Sequence, residues 1–237
     1  MITTVVFDLD DTLYDEVDFC RSGFRAGAKF IATLSDRHSP DDILATIWDC
    51  FITGNHSSTF NATLERLGIA YDPHIIGRLV EIYRTHTPTL TLPADSQATL
   101  DALKGKYTLA LLTDGYLPTQ RLKVQALGIE DYFAAIVYAE ELGRQFWKPS
   151  PRGFERLMEL LHARAEQMAC VADNETKDFI APNQLGMLTI HLLRPRSLHG
   201  RASDPPLPHP HAAPKLKIDR IGKLIDLLTQ SSRTRVM

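Results

Sequence analysis

The sequence predicts an α/β fold, a doubly wound and mainly parallel sheet flanked by helices, with an all-α domain inserted into it. Short apolar runs rich in β-branched residues recur along the chain, and helical patterns alternate with them in the second half. A long early stretch shows helical periodicity without any strand pattern, which indicates the insertion. Parallel strands joined by right-handed crossovers end at one edge of the sheet, where ligands bind.

The predicted strands are apolar runs bounded by polar residues, glycine or proline. The first run ends abruptly in acidic residues, the pattern of a strand buried on both faces that ends at the ligand edge. The predicted strands are residues 2–7, 107–112, 134–138, 168–172, 188–193 and 216–218.

Helices are predicted where apolar residues recur at helical spacing. In the core they are residues 95–103, 117–127, 151–161, 176–185 and 220–228, and in the insertion residues 24–34, 43–51, 60–67 and 75–83. We therefore predict a core of residues 1–15 and 92–237 and a helical domain of residues 16–91. The Pro- and His-rich stretch at 194–214 is predicted to be a surface loop.

Composition excludes several classes of protein. A hydrophobic content of 44% in 237 residues supports a packed core, and a net charge of −3 with dispersed charges gives no footprint of nucleic-acid or anionic-membrane binding. Cys20, Cys50 and Cys170 are odd in number and lack CxxC spacing, which indicates reduced thiols. We expect a cytoplasmic monomer or homodimer whose partner is a small molecule, with no nucleic acid and no membrane.

The acidic run after the first strand contains two carboxylates suited to group transfer. Asp8 and Asp10 lie two residues apart, so their side chains start on the same side of the sheet. One carboxylate can attack phosphorus, while a second protonates the leaving oxygen and later takes a proton from water. This pattern predicts Asp8 as nucleophile and Asp10 as acid/base, although an isolated Asp-x-Asp pair is more often a solvated turn.

A second acidic cluster supports the functional interpretation. Asp173 ends the fourth strand, and Asp178 is predicted on the first turn of the next helix, where the helix dipole would also favour it. Carboxylates from two strand ends need a cation, and such hard oxygen ligands suit Mg²⁺. The predicted ligands are Asp8, the backbone carbonyl of Asp10, Asp173 and Asp178.

Phosphoryl transfer also needs hydrogen-bond donors, and two further segments supply them. The Thr113 hydroxyl and the backbone N–H groups of Asp114 and Gly115 are predicted to hold phosphate oxygens, because glycine permits close backbone approach. Lys148, just before a predicted helix, is expected to reach the phosphate and offset the carboxylates. Taken singly, these are a turn and a surface lysine; their order at successive strand ends supports the prediction.

The series of motifs resembles that of the haloacid dehalogenase superfamily. The run from Asp8 to Thr12 is similar to its first motif, Thr113 to its second, Lys148 to its third, and Asp173 with Asp178 to its acidic fourth. The resemblance implies a Rossmann-like core, Mg²⁺, an aspartyl-phosphate intermediate and a cap domain, for which residues 16–91 lie in the place of an α-helical cap.

The residue at position 10 favours one branch of that superfamily. Asp10 favours phosphoryl transfer, because the family's dehalogenases lack an aspartate two residues after the nucleophile. Ala172 and Asp114 depart from the family's usual glycine and asparagine.

The sequence therefore predicts a magnesium-dependent phosphomonoester hydrolase for a small phosphorylated metabolite, a sugar phosphate or a nucleoside monophosphate. A phosphomutase using the same residues stays open and, more remotely, a non-catalytic phosphate-binding module. A signalling receiver is disfavoured, since receivers are single small domains without a helical insertion.

Overall fold

The computed structural model describes residues 1–54, 56–194 and 209–233, which form two compact units. The sheet unit consists of Met1–Val17 and Thr91–Met237, and the helical unit of Asp18–Leu90. The functional assignment of the two predicted ranges, catalytic core and cap, stays a prediction.

The sheet unit contains one six-stranded sheet in which every neighbouring pair is parallel, in the order β3-β2-β1-β4-β5-β6. The strands are β1 (Thr4–Phe7), β2 (Thr108–Thr113), β3 (Ala135–Tyr138), β4 (Met168–Ala172), β5 (Leu188–Leu192) and β6 (Leu216–Ile218). The fold-class prediction of a parallel α/β sheet is confirmed. Because β1 lies between β2 and β4, the residues that follow these three strands meet at one edge.

Helices connect the strands of the sheet unit. They are α5 (Ala94–Leu103), α6 (Leu117–Leu127), α7 (Ala139–Leu142), α8 (Arg152–Leu161), α9 (Ile180–Leu185) and α10 (Lys223–Arg233). The central strand is buried: Thr4 is 3% exposed, and the apolar Val5, Val6 and Phe7 are at most 1% exposed. Burying each such side chain contributes about 1.5–3 kcal/mol, which explains why a four-residue strand is stable at the centre of the sheet.

The helical unit is built from α1 (Glu16–Ile31), α2 (Pro40–Thr53), α3 (Thr59–Leu67) and α4 (Pro73–Thr85). Its core is aromatic, since the Phe24 ring packs against Phe51, Phe60 and Tyr83 at centroid distances of 5.1, 6.0 and 5.3 Å. These four rings border a cavity of about 400 Å³ inside the unit. Ser39 begins α2 through a capping box with Asp42.

One predicted helix begins later than expected. Residues 176–185 were predicted to be helical, but α9 begins at Ile180, so the prediction that Asp178 lies on the first turn of a helix is wrong. Asn174 Oδ1 accepts hydrogen bonds from the backbone N–H and the hydroxyl of Thr176 at 2.9 and 2.6 Å in the turn before α9. Pro182, on the first turn of α9, has no backbone N–H to donate to the Asp178 carbonyl, so the regular helix does not extend back to Asp178.

Most of the predicted surface loop at 194–214 lies outside the described residues. At its described end Ala212 is fully buried, and the Asn183 amide donates to the carbonyls of His211 and Ala213, both at 2.8 Å. In the described part of the chain, none of the helices has the length and apolar character needed to cross a membrane.

Helix α8 packs closely on β2 through a glycine, and this contact yields a stability prediction. A Cβ on Gly153 would lie 2.6 Å from Leu112 Cδ1, and Leu112 is itself buried in the core cluster. We expect Gly153→Ala to lower the free energy of unfolding by about 1–3 kcal/mol, because a filled core cannot accept a methyl group without displacement. Urea denaturation followed by tryptophan fluorescence measures the change.

The matched control is Gly222→Ala in the same unit, where an added Cβ meets nothing within 4 Å. Its effect should stay within about 0.5 kcal/mol. Equal effects of the two substitutions would contradict the packing of α8 on β2.

Candidate active site

The predicted site residues follow the three central strands of the sheet. Asp8 comes directly after β1, and its backbone N–H donates to the Val171 carbonyl of β4 at 3.0 Å. Thr113 is the last residue of β2, and Asp173 follows the last residue of β4. The parallel arrangement therefore brings residues from distant parts of the sequence to one edge of the sheet.

Three carboxylates form a buried cluster at this edge. Oxygen atoms of Asp8, Asp173 and Asp178 lie within 4.8 Å of one another. Asp178 reaches the cluster from the turn before α9, which the Asn174 backbone N–H stabilises by donating to Asp178 Oδ2 at 3.1 Å. Hard oxygen donors in this number suit a divalent cation such as Mg²⁺.

Lys148 is the counter-charge of the cluster. It lies in the turn before α8, and its Nζ is 2.5 Å from Asp8 Oδ1 and 2.8 Å from Asp178 Oδ1. The second oxygen of Asp8 accepts a long hydrogen bond of 3.4 Å from the Thr12 hydroxyl. Lys148 thus fixes one oxygen of Asp8 by an ion pair. Its predicted role in binding phosphate stays a prediction.

Burial and charge act against each other in this cluster. Burial raises the pKa of Asp8 to about 6, although Lys148 opposes the shift. Burial alone would lower the pKa of Lys148, but Asp178, Asp8 and Asp114 together hold it well above its usual value. Burial would likewise raise the pKa of Asp178, but Lys148 and Lys177 hold it below its usual range. For Asp8, burial therefore outweighs the combined effect of Lys148 and Lys177 on the pKa.

The turn after β2 contains the predicted phosphate-binding residues. Gly115 has a φ of 127°, a conformation that L side chains rarely adopt, so glycine is required here. Asp114 turns its side chain to Lys148, whose backbone N–H donates to Asp114 Oδ2 at 3.1 Å. Burial raises the pKa of Asp114. At position 114, where the family usually has asparagine, this chain thus has a carboxyl group that accepts a hydrogen bond from the Lys148 backbone.

Asp10 has a separate set of partners that the sequence did not reveal. Its Oδ1 accepts from the Tyr14 hydroxyl at 2.5 Å and the Lys123 ammonium at 2.7 Å, and its Oδ2 accepts from the Gln120 amide at 2.8 Å. Gln120 and Lys123 lie three residues apart on one face of α6. That spacing was the available sequence signal, but a lysine on a helix usually indicates a solvated face.

The structure therefore brings most of the predicted residues into contact. Asp8, Asp173, Asp178 and Lys148 form one cluster, and Asp114 joins it through the Lys148 backbone. Asp10 is connected to Thr113 through Gln120, whose Nε2 donates to both side chains.

Comparison with known proteins identifies the family. The sequence model of the haloacid dehalogenase-like hydrolase family matches residues 2–186. The chain belongs to the haloacid dehalogenase-like hydrolases. This match confirms the predicted family and the prediction of a hydrolytic enzyme.

Relatives of this haloacid dehalogenase-like hydrolase include named phosphatases. Glyceraldehyde 3-phosphate phosphatase of Methanopyrus kandleri is 27% identical over 239 residues, covering 98% of this chain and 100% of that protein. N-acylneuraminate-9-phosphatase of Rattus norvegicus is 26% identical over 243 residues, covering 95% of each. The structure of YfnB from Bacillus subtilis bound to magnesium matches with a TM-score of 0.65 at 19% identity, covering 96% of this chain and 98% of that one. At that identity the structural match shows the fold alone.

The ion pair between Lys148 and Asp8 in this hydrolase yields a prediction about ionisation. Lys148→Met removes the largest influence that lowers the pKa of Asp8, so this pKa should rise above its value of about 6. The measurement is pH titration of the Asp8 carboxyl carbon by NMR, in protein kept free of divalent cations with a chelator.

Lys106→Met is the control, because Lys106 is exposed at the amino end of β2, away from the cluster. It should leave the Asp8 titration unchanged. An Asp8 pKa that stays at its wild-type value in Lys148→Met would show that the ion pair does not govern the ionisation of Asp8.

Proposed function

We propose that this chain is a magnesium-dependent phosphomonoester hydrolase that forms an aspartyl-phosphate on Asp8, with a small phosphorylated metabolite as its substrate. The observation that supports this proposal most directly is the Asp8 carboxylate at the end of β1, held by Lys148 at 2.5 Å beside Asp173 and Asp178. The names of the phosphatase relatives, which denote a triose phosphate and a sugar-acid phosphate, support the reaction and favour a sugar phosphate over a nucleoside monophosphate.

Each step of the reaction has a residue in place. Asp8 attacks phosphorus, a new bond forms between its carboxylate oxygen and phosphorus, and the bond from phosphorus to the substrate oxygen breaks. Asp10 donates a proton to that leaving oxygen. Water then attacks the phosphoryl group, Asp10 takes a proton from the water, and Asp8 leaves as a carboxylate with release of inorganic phosphate.

Donors around the cluster hold the transferred phosphoryl group. The candidates are the Thr113 hydroxyl, the backbone N–H groups of Asp114 and Gly115 and the Lys148 ammonium, since Thr113 ends the strand beside β1 and Lys148 contacts Asp8. Pre-positioned donors of this kind stabilise the charge on the equatorial oxygens in the transition state.

The carboxylates fit a magnesium ion by their chemistry and by their charge. Asp8, the Asp10 carbonyl, Asp173 and Asp178 would hold it. Once bound, Mg²⁺ would neutralise phosphate charge and favour the ionised form of Asp8. The direction of the Asp8 pKa shift supports this assignment, because burial disfavours the ionised form that a divalent cation would stabilise.

The presence of Asp10 favours a phosphatase over a dehalogenase. A halide leaving group needs no proton, whereas an alkoxide leaving group does, and in this proposal Asp10 supplies it. A phosphomutase would use the same residues but would return the phosphoryl group to an organic product.

The decisive experiment is turnover of sugar phosphates and nucleoside monophosphates by purified protein with Mg²⁺, followed as inorganic phosphate. Asp8→Asn should lower phosphate release by at least about 1,000-fold with the fold retained, because the amide is a poor nucleophile. Asp131→Asn, at an exposed position, is the control and should retain full activity.

Two outcomes would contradict the proposal. Wild-type turnover by Asp8→Asn would exclude the aspartyl-phosphate. Dependence on a bisphosphate activator with little inorganic phosphate released would identify a mutase instead.

Magnesium binding can be tested without turnover. Asp173→Asn and Asp178→Asn should each weaken Mg²⁺ binding by at least about tenfold in isothermal titration calorimetry, because each removes a charged oxygen ligand. Chelation should abolish phosphate release, and added Mg²⁺ should restore it. Asp131→Asn serves again as the control, and unchanged Mg²⁺ affinity in both cluster variants would show that the ligand assignment is wrong.

A further inference from the structure

Helix α6 turns two polar side chains into the sheet unit. Gln120 is 2% exposed and Lys123 is 3% exposed, although residues of these types are mostly found on protein surfaces. Neither has a role in the proposed reaction. A buried amide and a buried ammonium need partners, and both find them at Asp10.

The Gln120 amide joins two residues of the proposed site. Its Nε2 donates to Asp10 Oδ2 at 2.8 Å and to Thr113 Oγ1 at 2.6 Å. A primary amide nitrogen carries two hydrogens, so both are used. In its ionised form, which takes the proton from water in the proposed reaction, Asp10 only accepts, and this fixes the orientation of the amide with its nitrogen toward Asp10.

This contact also directs the hydroxyl of Thr113. Because Thr113 Oγ1 already accepts from Gln120, its own proton turns elsewhere, toward the Asp114 carbonyl at 3.4 Å. That distance is at the long limit of a hydrogen bond, so a phosphate oxygen can replace the carbonyl at little cost. By donating to Thr113 Oγ1, Gln120 thus leaves the hydroxyl proton of Thr113 available for a hydrogen bond to a phosphate oxygen.

The rest of the structure around Asp10 supports one fixed side-chain position. Lys123 Nζ is 2.7 Å from Asp10 Oδ1 and 3.6 Å from Glu16 Oε1, so the helix holds both oxygens of Asp10. The turn after β2 also packs closely against the Gln120 side-chain amide. A Cβ on Gly115 would lie 3.1 Å from Gln120 Cδ, and glycine leaves that space to the glutamine.

We propose that Gln120 is a positioning residue that fixes Asp10 and Thr113 relative to each other. Through one amide it would align the carboxyl that transfers the proton with the hydroxyl that binds the phosphoryl group. This inference rests on the proposed function, in which Asp10 is the acid/base and Thr113 a phosphate donor. Gln120 itself touches neither the substrate nor the reacting atoms.

The test compares two phosphate esters whose leaving groups differ in their need for a proton. Gln120→Leu keeps the size of the side chain but removes the amide. We expect it to lower kcat about 10- to 100-fold on an alkyl sugar phosphate, because misplaced catalytic groups cost rate of this order. KM should change less. The loss on p-nitrophenyl phosphate should be smaller, because that leaving group departs without a proton.

The matched control is Gln125→Leu on the exposed side of the same helix, which should behave as wild type on both esters. In an Asp10→Ala background Gln120→Leu should cost much less than in the wild type, because one of the two groups it orients is gone. Should Gln120→Leu fail to fold, Gln120→Asn keeps the amide but is too short to reach both partners. It should show the same preference for the aryl ester.

Equal loss on both esters, or the same loss in the Asp10→Ala background, would overturn the positioning role and leave Gln120 as a structural residue. Wild-type kcat in Gln120→Leu would also overturn it. If Gln120→Leu gives one of these results but Asp8→Asn is inactive, only the positioning role is rejected. An active Asp8→Asn would reject the proposed function itself.

Discussion

The ion pairs of Lys148 with Asp8 and Asp178 are the interaction on which the candidate site depends. Three carboxylates within 4.8 Å repel one another, and each loses hydration on burial. Lys148 contacts two of them, and its backbone is held by Asp114. Lys148 and the nearby Lys177 offset only part of this negative charge, to which Asp114 adds a further carboxyl group. The imbalance is a cost to the fold, and it is also the property that makes the cluster attractive to a divalent cation.

The structure separates the environments of two aspartates that are close neighbours in sequence. Asp8 is held in the buried cluster with Lys148, whereas Asp10 is held by hydrogen bonds from α6 and from Tyr14. A nucleophile and an acid/base need different surroundings, because one must be ionised while the other must exchange a proton. The parallel sheet makes this separation possible, since the loop after β1 passes between the turns after β2 and β4.

The helical unit is held together by packing contacts between aromatic rings. Its helices pack through aromatic rings centred on Phe24, and Gly23 is required because a Cβ there would lie 2.5 Å from the Tyr83 ring. None of the predicted site residues lies in this unit, so its sequence is free of the motif order that fixes the sheet unit.

The sequence by itself determined the parallel α/β fold and the positions of Asp8, Thr113, Lys148 and Asp173, because each adjoins a local pattern: an apolar run or the start of a helix. Only the tertiary structure decided what these residues contact. Asp178 lies in the turn before α9, because Pro182 has no backbone N–H to donate to its carbonyl. Gln120 and Lys123 gained their roles because α6 turns one face toward Asp10, more than 100 residues earlier in the chain. Local periodicity shows that a helix has a buried face, but the partner of a buried polar side chain depends on how distant segments pack.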